Sequence, residues 1–198
     1  MQALFLKAFS HSHIRTFSHL HIREATHPHI LTSAHSHIKK MTSILFICLG
    51  NICRSCTAEE IFRTLADKTS SHNHYHVDSA GIIDYHEGEL PDARMRHHAQ
   101  QHGYHLTHHS RPVTTDDFHK FDLIVAMDER NREKLLRLAP QGTEHKIIMM
   151  ADYLQSHPDY DIIPDPYYGD ARDFELVIDL LEDACSHLLE RLEAGAKE

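Results

Sequence analysis

The 198-residue sequence has no tryptophan and only four cysteines, and its 20 Lys and Arg are outnumbered by 29 Asp and Glu, giving a formal net charge of −9. No apolar run approaches the length of about 18 residues that a membrane-spanning helix needs. Four cysteines with no evident secretory signal point to a reducing compartment, and the expected location is the cytoplasm. Scarce positive charge gives no support for a nucleic-acid partner. No Gly-Lys-Ser/Thr ends the glycine-containing loop that follows the first strand pattern, which excludes a P-loop nucleotidase.

The first forty residues differ from the rest. His-x-His-Ile begins at His11, His19, His27 and His35, a period of eight. Five Lys or Arg against Glu24 give this stretch +4 and leave −13 for the remainder. Three readings fit it. Paired imidazoles on an extended chain suit a divalent metal as a partner. An Arg- and Ser-containing, acid-poor start resembles an organelle transit peptide. Low complexity favours a disordered extension, even translated repeat upstream of a natural start at Met41. The expected organisation is therefore a 1–40 extension followed by one 41–198 domain.

From Met41 onward the chain alternates strand and helix patterns. Strands are expected at Ser43–Cys48, Tyr75–Ser79, Leu123–Met127 and Lys146–Met150. Helices are expected at Ser55–Lys68, Asp92–His102, Glu129–Leu138 and Asp173–Leu192, the last with Phe174, Val177, Ile178, Leu181, Cys185 and Leu188 on one face. The predicted fold is α/β: a short central four-stranded parallel sheet flanked by helices, with a phosphate-binding loop after the first strand.

That loop is Cys48-Leu49-Gly50-Asn51-Ile52-Cys53-Arg54-Ser55. Gly50 and Asn51 tolerate unusual backbone angles, so successive N–H groups can turn inward to meet a phosphate at the positive end of the following helix. The same donors and Arg54 favour a thiolate at Cys48, a ready nucleophile. Five residues separate Cys48 from Arg54, enough to wrap one phosphoryl group whose oxygens the guanidinium fork can grip. Ser55 is expected to donate to the Cys48 sulfur. Cys53 and Cys56 form Cys-x-x-Cys, but zinc would need two more ligands and only Cys185 remains. No metal or other cofactor is expected, and His105, His108 and His109 have no metal-ligand spacing to a carboxylate set.

With these motifs the chain resembles the low-molecular-weight protein tyrosine phosphatases, from Thr42 to about Leu192. The resemblance rests on the octet, on Val77-Asp78-Ser79-Ala80-Gly81, on Phe121-Asp122 leading into Ala126-Met127-Asp128-Glu129, and on Asp165-Pro166-Tyr167-Tyr168-Gly169-Asp170. It implies hydrolysis of phosphotyrosine proteins through a phosphocysteine on Cys48, with Arg54 as clamp and Asp165 as general acid and then base. It further implies that Leu49, Gly50, Asn51, Ile52, Cys53 and Ser55 form the substrate cradle, with Tyr167 and Tyr168 on one side and Tyr85 on the other, where relatives often carry tryptophan. Asn51 is expected to hydrogen-bond Ser79 and His108, and Cys53 to form a reversible disulfide with Cys48 on oxidation. Cys56 stands where proline is usual in the family. Alternatives are a protein-arginine phosphatase, which carries Thr in place of Ile52, an arsenate reductase, which needs downstream relay cysteines, and a non-catalytic phosphopeptide-binding module.

Overall fold

The computed structural model describes residues 41–69 and 72–195, so the readings of the His-rich repeats lie outside the described residues. Four parallel strands, β1 (Thr42–Cys48), β2 (Tyr75–Gly81), β3 (Leu123–Ala126) and β4 (Ile147–Met149), lie in the order β2-β1-β3-β4. Among the described residues five α-helices accompany them: α1 (Arg54–Asp67), α2 (Ala93–Gln101), α3 (Asp117–Lys120), α4 (Glu129–Leu138) and α5 (Ala171–Gly195).

Because β1 is central and covered on both faces, it reads as a continuous apolar run rather than an alternating one. Ile44 and Phe46 point into a core shared with Phe62 of α1 and Val177, Ile178 and Leu181 of α5. Leu45 and Ile47 point the other way, against Phe118, Phe121, Ile124 and Leu135. Burying a side chain such as Phe46 contributes about 1.5–3 kcal/mol, and truncating it to alanine costs more, about 3–5 kcal/mol, since a cavity remains.

Helix starts follow local capping. Asp92 accepts from the Arg94 amide at the start of α2, and Asp128 from the Asn131 amide at the start of α4. α5 begins two residues ahead of the expected Asp173, because Asp170 Oδ1 accepts from Arg172 N while Asp173 Oδ2 accepts from Asp170 N, a reciprocal cap. β2 runs past Ser79 to Gly81, where Ala80 and Gly81 pair with Ile47 and Cys48. The four-residue α3 has no counterpart in the periodicity, being a single turn tied down by Asp117 contacts to Thr114. β2 pairs with β1 as far as Cys48 and β3 as far as Ile47, so the loop after Cys48 emerges at the carboxyl edge of the parallel sheet.

Candidate active site

The loop from Cys48 curls back on itself through one left-handed residue, Asn51, with φ of 58°. Gly50 does not share that conformation; its need for glycine is spatial, since a Cβ there would come within 3.1 Å of the His86 ring. Gly81, at the end of β2, is likewise a close-approach position: an added Cβ would meet the carbonyl oxygens of Ile83 and Leu49 at 3.0 and 3.1 Å. The curl directs the Asn51 amide to the Cys48 sulfur at 3.3 Å, and Ser55 Oγ lies 3.1 Å from the same atom. Cys48 is 2% exposed. No side chain caps α1, whose N-terminal amides therefore remain for an anion.

Asn51 and Ser55 do not line the cavity but stand buried behind it. Asn51 Nδ2 donates to Ser55 Oγ and Ser79 Oγ, each at 2.9 Å, while its Oδ1 accepts from Arg111 N and lies 3.0 Å from His108 Nε2. Ser79 Oγ in turn donates to Glu59 Oε2 at 2.7 Å, and His108 Nδ1 is 3.1 Å from the same carboxylate oxygen. Burial pushes the Glu59 carboxyl up, but His108, Ser79 and Arg63 together hold it below its ordinary value. Glu59, Asp78 and His108 bring ligand atoms within 4.8 Å of one another, yet Arg63 is bonded to Glu59 and Arg111 to Asp78, so the carboxylates are already neutralised.

Arg54 is the largest fully buried side chain. Its Nη1 donates to Asp128 Oδ2 at 2.6 Å and to the Ile163 carbonyl at 3.2 Å, and its Nη2 to Asp165 Oδ2 at 2.6 Å. The two carboxylates and Cys48 hold the guanidinium charged against the effect of burial. Burial and the neighbouring Cys48 push the Cys53 thiol well above its ordinary range, and burial does the same at Cys56.

Cys48 and Arg54 lie at one end of a cavity of about 360 Å³ whose floor also includes Leu49, Gly50, Ile52 and Cys53. Asp165, Tyr167 and Tyr168 contribute to its wall from one segment and Ile83, Tyr85 and His86 from another, the His86 and Tyr167 ring centroids lying 6.4 Å apart. Tyr167 is half-buried under Arg94, whose guanidinium carbon sits 5.5 Å from the ring centroid, whereas Tyr168 is 97% exposed and forms only the lip. Sequence reasoning missed Ile83 and His86 in the wall and Asp128 behind Arg54. Asp128 stood within a quoted motif, and its position directly after β3 was the available signal.

The family described as low molecular weight phosphotyrosine protein phosphatase matches residues 43–198. The chain belongs to that family. Its activity is that of a protein-tyrosine-phosphatase, a hydrolase. A putative low molecular weight protein-tyrosine-phosphatase of Synechocystis is 45% identical over 150 residues, covering 75% of this chain and 95% of the relative. The low molecular weight phosphotyrosine protein phosphatase of Gallus gallus is 40% identical, over 77% of this chain and 96% of its own. Among solved structures, a protein tyrosine phosphatase from Entamoeba histolytica with Hepes in its active site superposes with a TM-score of 0.76 at 43% identity, covering 78% of this chain and 98% of that one. Vibrio vulnificus Wzb in complex with benzylphosphonate gives a TM-score of 0.66 at 28% identity, with 76% and 99% covered. The residues matched by the family thus span the sheet, the loop after its first strand and the helices through α5.

Proposed function

We propose that Cys48 is the nucleophile, Arg54 the phosphate clamp and Asp165 the general acid and base of phosphotyrosine hydrolysis through a phosphocysteine. The observation that carries this reading is the convergence of Cys48, Arg54 and Asp165 on one cavity walled by Tyr85 and Tyr167. The Cys48 sulfur attacks phosphorus as the bond to the phenolic oxygen breaks, and Asp165 gives that oxygen its proton. Water then attacks the phosphocysteine, Asp165 takes the proton, and the thiolate leaves as inorganic phosphate forms. Loop amides and Arg54 stabilise charge on the equatorial oxygens. Ser55 and Asn51, both on the sulfur, ease its departure.

Ile52 lines the cavity, and an apolar side chain there supports an aromatic ester over a polar guanidinium as the substrate. The benzylphosphonate bound by Wzb carries a phenyl ring one CH₂ away from its phosphonate, as phosphotyrosine carries its ring one oxygen away from its phosphate. An arsenate reductase relay has no support: Cys185 is fully buried, with its sulfur donating to the Ala58 carbonyl at 3.6 Å. The intact trio argues against a pure binding module. Four free thiols and a nucleophile that must stay reduced favour the cytoplasm, and residues 1–40 are read as dispensable for turnover, since the match to the family begins at residue 43. Among the described residues no helix is long and apolar enough to cross a membrane.

The deciding experiment is phosphate release from phosphotyrosine, phosphoserine and phosphoarginine substrates under reducing conditions, with Cys48→Ser alongside. Fast release from phosphotyrosine alone, lost in the variant, is expected. Turnover by Cys48→Ser would remove the nucleophile assignment.

A further inference from the structure

The charge around the cavity mouth is opposite to the charge at its base. Arg54 lies inside, whereas residues 82–92, which carry Tyr85 and His86 into the wall, include Asp84, Glu87, Glu89 and Asp92 and no lysine or arginine. Asp84 and Glu87 bracket Tyr85 and His86 along the chain; both are exposed and neither has an ion-pair partner among the described residues. Glu89 is met by His86, at 2.7 Å.

Arg94, which lies against Tyr167, and Arg172, four residues after Tyr168 in the chain, are already engaged. Arg94 is paired with Asp92 at 2.8 Å, donates to the Tyr167 carbonyl at 2.9 Å and stacks over the Tyr167 and Phe174 rings. Arg172 is paired with Asp170 at 2.8 Å. Thus two carboxylates beside the tyrosine wall face solvent without a cation, next to a site that takes a dianion. Within a Debye length of about 8–10 Å they repel a phosphopeptide with acidic flanks and attract one that brings its own cations. The −13 carried by residues 41–198 acts in the same direction at longer range.

Resting on the phosphotyrosine phosphatase reading of this site, we infer that its preferred substrates are phosphotyrosyl segments flanked by lysine or arginine. Their cations meet Asp84 and Glu87 while the phosphate enters the Cys48 loop.

The test compares kcat/KM for two phosphotyrosine peptides that differ only in having lysine or glutamate beside the phosphotyrosine, with p-nitrophenyl phosphate as a substrate lacking flanks. At low salt the lysine peptide is expected to lead by about 3–10-fold, and the ratio to shrink towards unity in about 0.5 M salt. The double substitution Asp84→Lys with Glu87→Lys is expected to abolish or invert the ratio, which is read within one enzyme and so is insensitive to loss of folded protein. A ratio of one or less in the unsubstituted enzyme, with p-nitrophenyl phosphate still hydrolysed, overturns the inference alone. So does a ratio that survives both salt and the double substitution. No hydrolysis of p-nitrophenyl phosphate overturns the phosphatase reading itself.

Discussion

Arg54 Nη2 and Asp165 Oδ2 are 2.6 Å apart, so the proposed phosphate clamp and the proposed acid are bonded to each other. In the proposed mechanism an entering phosphate competes for the guanidinium and leaves the carboxyl to serve the leaving oxygen. Asp165→Asn should therefore separate two effects. Turnover of a poor leaving group such as phenyl phosphate is expected to fall about 10²–10⁴-fold. Competitive inhibition by inorganic phosphate is expected to stay as strong or strengthen, because Arg54 loses a competing anion. Steady-state rates and inhibition constants read both; an unchanged rate on phenyl phosphate would remove Asp165 from the mechanism.

Asp128 serves two elements at once, holding Arg54 Nη1 through Oδ2 and capping α4 through Oδ1, 2.7 Å from the Asn131 amide. Asp128→Ala should cost roughly 2–4 kcal/mol of stability, the sum of a lost cap and a charged hydrogen bond to a buried partner. Asp128→Asn, which keeps an acceptor for the cap, should lose less. Urea unfolding midpoints of the two variants test this. Equal midpoints for Asp128→Ala and the unsubstituted protein would show that neither contact matters.

The sheet was legible chiefly through β1 and β3, short apolar runs buried over most of their length, and the loop was legible because five residues separate Cys48 from Arg54 directly after β1. What escaped is what depends on distance through space. His86 enters the cavity wall only because Gly50 leaves room for its ring, and no local pattern announces that. Nor does the sequence tell a lining residue from one behind it: Asn51 belongs to the octet, yet its left-handed backbone turns its side chain away to Ser79 and Ser55. Gly50 was read as a source of backbone freedom, and the structure gives that role to Asn51 alone within the loop.

The Glu59 carboxylate sustains the Ser79 and His108 contacts behind Asn51, and it is held below its ordinary value of 4.5. A carboxyl depressed in the folded state contributes stability that is present above the unfolded value and lost as pH falls through the folded one. Melting temperature is therefore expected to drop as pH is lowered below about 4.5, with Asp117, held down by Arg111 and Thr114 against its burial, adding to the fall below its ordinary 3.8. In Glu59→Gln the slope of melting temperature against pH over that window should be shallower, whatever the variant's melting temperature at neutral pH. Parallel slopes would mean that Glu59 carries no linked proton.

Cys53 is buried beside Cys48, and burial together with that neighbour keeps its thiol protonated. It is thus a poor first target for an oxidant. Hydrogen peroxide should oxidise Cys48, the proposed nucleophile, to a sulfenic acid; the Cys53 sulfur then attacks that sulfur, forming the disulfide and releasing water. Dithiothreitol reduces the bond and restores Cys48. The expected outcome is that peroxide-treated enzyme regains most of its activity with dithiothreitol, whereas Cys53→Ser, measured against its own activity before oxidation, regains little because Cys48 proceeds to sulfinic acid. Equal recovery in both would show that Cys53 does not shield the nucleophile. Recovery lost only in Cys56→Ser would move that role to the thiol whose sulfur donates to the Cys53 carbonyl at 3.3 Å.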